Sequence, residues 1–249
     1  TKFKLFLTEH CTTNRRMEIR VLRTINRTVY SMYDRCICIT EEIQKTYLNY
    51  TDSEKIKFPV VENGINLTKI NNAVKIDLCS FFNDPTEHDK YLIQVSAFRE
   101  QKDQKTLIRS MELLPNSVKL LLVGDGVERS SCETLVEELD LSNRVLFLGL
   151  RFDVASLIKS VDICVLSTFF EGLSLSCLEG MASGNPFIAS DVPGITNIVK
   201  DNGVLFPLGD YKTLAYEINR LLIYQINLTF SFFNCLHNKL LHTHHFIFG

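Results

Sequence analysis

Six short apolar runs, each followed by an amphipathic stretch, occupy the chain from residue 91 to 223 and limit its fold more than any other feature. The runs are YLIQVSA (91–97), VKLLLVG (118–124), RVLFLG (144–149), DICVLS (162–167), PFIAS (186–190) and VLF (204–206). Helical patterns follow them near 103–114, 127–140, 153–160, 173–184, 193–200 and 210–223. A strand that is apolar at nearly every position is buried on both faces, and parallel strands need a crossover between them. Strand and helix in alternation therefore predict an α/β fold, a doubly wound parallel sheet of Rossmann-like form with right-handed crossovers. In such sheets a ligand sits at the carboxyl ends of the strands, so the loops after each run are where chemistry is expected.

The flanks are less regular. Residues 35–39 (RCICI) read as a strand, 41–49 as a helix opened by Thr40, and 56–61 as another strand, with a turn at Asn63-Gly64. Those elements are too few for a domain of their own. They read as the end of a preceding α/β domain plus a linker, with residues 68–90 polar and irregular. The expected division is 1–65 for that remnant and hinge, 66–224 for the Rossmann-like domain, and 225–249 for an irregular tail. The tail holds His242-Thr243-His244-His245, with no thiol or carboxylate ligand beside it in sequence, so a metal site is not the expected reading. The chain opens Thr1-Lys2-Phe3, without an initiator Met, a secretory leader or an apolar run long enough to cross a membrane. It is expected to be a piece of something longer, with membrane association at most peripheral.

Composition narrows the partners. Lys+Arg 27 against Asp+Glu 29 leaves a formal charge of -2, so no basic excess points to nucleic acid. Hydrophobic residues at 45% are too many for a disordered chain. The 8 cysteines form no CxxC pair, and Cys36 and Cys38 flank Ile37 so that both point to one face, as packing residues do. Scattered thiols without zinc spacing fit a reducing, cytoplasmic setting.

The segment STFFEGLSLSCLEGMASGNPFIAS (167–190) carries the strongest chemical signal. Glu171 follows a strand and Glu179 lies in the next helix. Counted along a helix axis, eight residues span roughly 12 Å, which suits two ends of one extended ligand better than an acid and base acting on one bond. Glu179 shares its helical face with Leu175, Leu178 and Ala182, where an ionised carboxylate is costly unless something polar meets it. Ligand hydroxyls would do so; the plainer alternative is a surface glutamate on a helix of different phase. Gly172 is read as the residue that lets the chain turn before the helix. The amides of Leu173, Ser174 and Leu175 would then face an anion at the helix start, with the Ser174 and Ser176 hydroxyls beside them. In VSAFREQKDQKTLIRSMELLP (95–115), Arg99, Lys102 and Lys105 sit where the first strand meets its helix and would neutralise a diphosphate without a metal. Gly124-Asp125-Gly126 follows the second strand, where small residues let backbone approach a base or ribose; an ordinary turn looks the same.

In this order, FREQKDQKTLI, LLLVGDG, NRVLFLG, FFEGLSLSCLEGMASGNPFIASDVPG and GVLFPLGDYKTLAYEI resemble the retaining glycosyltransferases of GT-B fold, the "glycosyl transferases group 1" family. ENGIN (62–66) resembles the hinge that leads into the family's donor domain. The resemblance covers about residues 8 to 224. It implies two Rossmann-like domains, the C-terminal one holding a nucleotide-diphosphate sugar and the N-terminal one a glycan or lipid-linked acceptor. It also implies transfer with retention of configuration and no bound metal or other cofactor. By resemblance Glu171 touches the transferred sugar and Glu179 the ribose hydroxyls. Lys102 with an arginine, here Arg99, holds the diphosphate, and the amides near Gly172 to Ser174 assist. The family's G-R-L/F reads Ala97-Phe98-Arg99, displacing the arginine by two positions, and its E-G-F-G reads Glu171-Gly172-Leu173-Ser174. Thr8-Glu9-His10 stands where a last trace of the acceptor domain's edge would lie. The competing expectation is a non-catalytic fragment that binds nucleotide sugar without turning it over.

Overall fold

Each of the six apolar runs forms a strand in the computed structural model, which describes residues 3–10, 17, 19 and 21–224. In chain order the elements are β1 (Phe6–Glu9), α1 (Leu22–Ser31), β2 (Arg35–Cys38), α2 (Glu41–Thr51), α3 (Leu67–Asn71), β3 (Lys90–Val95), α4 (Gln104–Ser110), β4 (Val118–Val123) and α5 (Arg129–Glu138). They continue with β5 (Val145–Gly149), α6 (Val154–Ser160), β6 (Ile163–Leu166), α7 (Leu175–Ala182), β7 (Phe187–Ser190), α8 (Thr196–Val199), β8 (Val204–Phe206) and α9 (Tyr211–Tyr224). Two compact units divide the described residues: one runs to Gly64 and takes in Glu171–Leu173, and the other comprises 65–170 and 174–224.

The second unit holds a six-stranded sheet in the order β5-β4-β3-β6-β7-β8, parallel throughout. The continuous apolar runs are explained by its two faces. Leu92, Leu120, Leu122 and Val165 point to one side, where Leu107 and Ile108 of α4, Val136 of α5 and Ile218 of α9 cover them. Ile93, Leu121, Val123 and Leu166 point to the other, under Leu157 of α6, Met181 of α7 and Val199 of α8. Every second residue therefore serves one face, and both faces are dry, as a doubly wound sheet requires. Helix starts are fixed locally: the Asp103 carboxylate accepts the Thr106 amide at 3.3 Å before α4, and Asp210 accepts the Thr213 amide at 3.0 Å before α9.

The first unit contains a two-stranded parallel sheet, β1 against β2, with Phe6 opposite Arg35 and Glu9 opposite Cys38. Cys36 and Cys38 are fully buried and pack with Tyr30, Ile43, Tyr47 and Phe58, so the pair serves the core. Burial pushes their thiols up, to about 11 and about 12. Thr40 caps α2 by accepting the Ile43 amide at 3.2 Å. The Glu9 carboxylate accepts the Tyr30 hydroxyl at 2.5 Å and the Tyr47 hydroxyl at 2.9 Å.

Two sequence expectations are corrected here. Residues 56–61 are not a strand: Lys55–Lys57 form a 3-10 turn and only Val60 pairs, bridging Cys38, beside a proline that has no N–H to give. Asn63-Gly64 makes no turn; Asn63 runs on and donates its side-chain amide to the Leu173 carbonyl at 3.1 Å. Residues 68–90 are largely irregular after the short α3, yet they are packed: Ile70 lies with Ala155 and Ala182, Leu78 enters the core, and the Ile76 amide donates to the Ser160 hydroxyl at 2.8 Å. The opening also holds β1 and α1, which the sequence pattern does not announce. The tail 225–249, with its histidine cluster, lies outside the described residues.

Candidate functional site

The sheet of the second unit reverses direction between β3 and β6. From β3 the chain winds outward through β4 and β5, and from β6 it winds the other way through β7 and β8. Adjacent crossovers thus leave on opposite faces, and a crevice opens at the carboxyl ends of these two strands. The loop after β3 carries Arg99 and Lys102, and the loop after β6 leads toward Glu171. The two loops are bonded together: the Gln101 carbonyl accepts the Phe169 amide at 2.9 Å and the Thr168 hydroxyl at 3.0 Å, and the Gln101 side-chain amide donates to the Phe170 carbonyl at 2.7 Å.

Arg99, Lys102 and Lys105, chosen from sequence as phosphate-binding cations, line one pocket of about 230 Å³ together with Glu100, Glu128 and Phe169. Arg99 is exposed and Lys102 half-buried. Lys105 is committed to Glu128, Nζ to carboxylate oxygen at 3.3 Å. The Ser131 hydroxyl and then Lys105 hold the Glu128 carboxyl below its usual range. Beyond that pair the pocket is lined by Arg99 and Lys102 and by the carboxylates of Glu100 and Asp103, so cations and anions are equal in number there.

Gly124 and Gly126 have a structural reason to be glycine. Both have positive φ, 133° and 155°, and a Cβ would lie 2.1 Å from the Ser96 carbonyl oxygen at the first and 2.3 Å from that of Phe98 at the second. The loop after β4 thereby lies against the loop after β3, where the Asp125 carbonyl accepts the Phe98 amide at 3.0 Å. The Asp125 carboxylate accepts the Gly126 amide at 2.7 Å.

The segment before α7 departs from expectation in two respects. The helix begins at Leu175 with Ser174 as its uncapped N-cap, so the first helical amides are those of Leu175 and Ser176 rather than Leu173 to Leu175. Leu173 packs in the first unit's core, and its carbonyl accepts from Asn63. The helical rise consequently does not apply between Glu171 and Ser174, and the distance counted along a helix axis from Glu171 to Glu179 fails. The chain bends at Gly172 and Leu173, just before the helix. Gly172 also serves close approach, since a Cβ there would sit 2.7 Å from the His10 carbonyl oxygen. Glu171 and Gly172 fall in the first unit and Ser174, Leu175 and Glu179 in the second.

Glu179 behaves as its apolar helical face suggests. It is half-buried between the fully covered Leu178 and Gly180 positions, while Leu175 is exposed. Burial raises its carboxyl above the usual range, and only the positive charge of Lys69 on α3 opposes this. Among the described residues no donor meets the carboxylate. Among those residues, too, no cluster of three His, Cys, Asp or Glu side chains is arranged to hold a metal ion, and no helix is long and apolar enough to cross a membrane. Sequence reasoning missed Lys69, Gln94 and Gln101; of these only Gln94 left a signal, a polar residue inside an apolar run.

Comparison with known proteins agrees with this geometry. The family described as Glycosyl transferases group 1 matches residues 89–223. The chain is 37% identical over 141 residues to an N-acetyl-alpha-D-glucosaminyl L-malate synthase of Bacillus anthracis, covering 55% of this chain and 37% of that protein. It is 28% identical over 197 residues to the UDP-Gal:alpha-D-GlcNAc-diphosphoundecaprenol alpha-1,3-galactosyltransferase of Escherichia coli, covering 75% and 50%. It thus spans half or less of the length of these relatives. The crystal structure of Anabaena HepE in complex with UDP and glucose superposes with a TM-score of 0.76 at 20% identity, over 91% of this chain and 64% of that one. The doubly wound sheet is of the kind found in GT-B glycosyltransferases, and the chain belongs to the glycosyl transferases group 1 family.

Proposed function

We propose that the second unit binds the nucleotide-diphosphate sugar of a glycosyltransferase that transfers the sugar, with retention of configuration, to a glycan or lipid-linked acceptor. The observation that carries this reading is Glu179: a half-buried carboxylate, desolvated, without a protein donor, on the helix that starts beside the β3–β6 crevice. A half-buried acceptor of this kind is stabilised when ligand hydroxyls meet it, as two ribose hydroxyls would. Lys102 and Arg99 supply positive charge for a diphosphate, and the Leu175 and Ser176 amides add donors at the positive end of α7. Gly124, Asp125 and Gly126 bring backbone to the same edge of the sheet, next to where a base and ribose would lie. In this reading Glu171 contacts the transferred sugar. The diphosphate charge that develops as the glycosidic bond breaks is met by side chains and amides, and no metal is invoked. The UDP and glucose bound in the Anabaena structure and the UDP-sugar in the Escherichia coli relative's name support a nucleotide-sugar donor.

Calorimetric titration with UDP-, GDP- and ADP-sugars tests the first step. Saturable binding of one of them, weakened by about 1–3 kcal/mol in Glu179→Ala, is expected; a folded chain that binds none of them contradicts the donor site. Release of nucleoside diphosphate on adding acceptor separates turnover from binding alone. Lys102→Ala is expected to add about 3 kcal/mol to the barrier of that reaction.

A further inference from the structure

Gln94 lies in β3 between the apolar Ile93 and Val95, and it is 1% exposed. Its neighbours explain why an apolar strand tolerates it. The ladder between β3 and β6 pairs only Leu92 with Ile163 and Ile93 with Cys164, then stops. On either side the flanking ladders run on, β3 with β4 to Val95–Val123 and β6 with β7 to Leu166–Ala189. The sheet therefore splits along its middle at the carboxyl end, and the backbone there needs other partners. The Gln94 side chain supplies them: its Oε1 accepts the Ser167 amide at 3.1 Å and its Nε2 donates to the Ser167 carbonyl at 3.1 Å. A primary amide offers the same donor and acceptor as a peptide group, so it extends the ladder by a side chain's reach.

The pairing continues into the loop after β3. Gln94 Nε2 also donates to the Ser96 hydroxyl at 3.1 Å. Gln104 Nε2 donates to that hydroxyl at 3.1 Å and to the Ala97 carbonyl at 3.0 Å. The Ser167 hydroxyl reaches the Asp103 carboxylate at 3.4 Å. No buried side-chain polar atom among the described residues is left without a partner. A fully satisfied buried network holds one geometry, whereas one missing member leaves costly unpaired groups.

We propose that Gln94 is a positioning residue for donor binding, its amide replacing the absent β3–β6 ladder and holding the loops that carry Arg99, Lys102 and Phe169 in one arrangement. This deepens the donor-binding reading and rests on it for its consequence, though the loop coupling stands on hydrogen bonds alone. Gln94→Leu keeps the volume and removes the pairing. Gln94→Glu keeps the acceptor and removes the donor. Ser110→Ala, which deletes a buried hydroxyl bond to the Leu107 carbonyl away from the crevice, is the control.

Two readouts are taken on each protein: amide hydrogen exchange by segment, and affinity for the sugar nucleotide that binds the wild type best. For both Gln94 variants, exchange at residues 96–102 and 167–170 is expected to accelerate at least tenfold while β4 and β7 keep their protection. Affinity is expected to fall about tenfold with them, and Ser110→Ala to leave loop exchange and affinity at wild-type values. Unchanged loop exchange in both Gln94 variants overturns the proposal, as does faster exchange spread evenly over the second unit. Accelerated loops with unchanged affinity overturn the positioning role. If the wild type binds no sugar nucleotide, the donor-binding reading fails and the positioning role falls with it, while the loop coupling is still decided by the exchange data.

Discussion

The two compact units use the same ingredients, parallel strands and covering helices, to different degrees of closure. In the second, six strands are covered on both faces, and Leu92, Leu120 and Ile188 have no exposed surface. In the first, two strands share, among the described residues, a core of eight buried residues, while Phe6 on β1 is 57% exposed and Ile25 on α1 is 57% exposed. A two-stranded sheet has too little area to bury both its own faces and the helices laid on it. The first unit makes up part of the difference with polar and aromatic contacts: Tyr30 lies edge-on to Tyr47 with centroids 5.5 Å apart, and both donate to Glu9. Stability in the second unit should therefore be sensitive to volume and backbone fit, and in the first to a few specific contacts.

Four substitutions sharpen or break that contrast. The largest effect is expected from Gly124→Ala, which places a Cβ 2.1 Å from the Ser96 carbonyl oxygen at a φ of 133°. A loss of about 4 kcal/mol in denaturant unfolding is expected, since the neighbour is backbone and cannot step aside. Leu120→Ala, at the centre of the sheet, should lose about 3 kcal/mol by the same measurement. Glu179→Ala should weaken donor binding by about 2 kcal/mol yet raise the melting stability of the unliganded chain by about 1 kcal/mol, because a desolvated charge is removed. Ile25→Ser, on the exposed side of α1, should change stability by no more than about 0.5 kcal/mol. A large loss there would show that this face is covered and that the contrast between the units is wrong.

Acid titration reads the same glutamate. Burial raises the Glu179 carboxyl above its ordinary 4.5, so the folded chain keeps that proton to higher pH than the unfolded one does. Its contribution to stability is accordingly lost as pH climbs from 4.5 through the raised value, and Glu179→Gln should flatten that part of the curve. Donor affinity runs the opposite way, because the ionised carboxylate is the better acceptor, and it should strengthen over the same interval. Calorimetry across that pH range checks both signs.

How much was legible in the sequence follows from the same contrast. The second unit was readable because a sheet dry on both faces writes itself as uninterrupted apolar runs, and all six strands lie within the runs or one residue of them. Of the candidate site, the cations after β3 were picked by position and do line one pocket, and Glu179 was picked by its apolar helical face, where it is half-buried. Gly172 was picked out for the bend before the helix, and its lack of a side chain also serves approach to the His10 carbonyl, a contact between residues distant in sequence that no local pattern records. The helix start slipped by two residues because Leu173, apolar and at helical spacing, packs elsewhere. β1 and α1 went unseen since half-exposed strands and helices carry weak periodicity. Gln94 was passed over because a single polar residue in an apolar run has no meaning until its partner, Ser167, is known.

The central claim is that a nucleotide sugar is held at the crevice between β3 and β6. It is tested most directly by mapping backbone amide shifts in nuclear magnetic resonance spectra as the best-binding sugar nucleotide is added. The account predicts saturable changes concentrated at Arg99–Lys102, Gly124–Gly126 and Ser174–Glu179. Changes confined to the opposite end of the sheet, around Lys90, Val118 and Ile163, would contradict it.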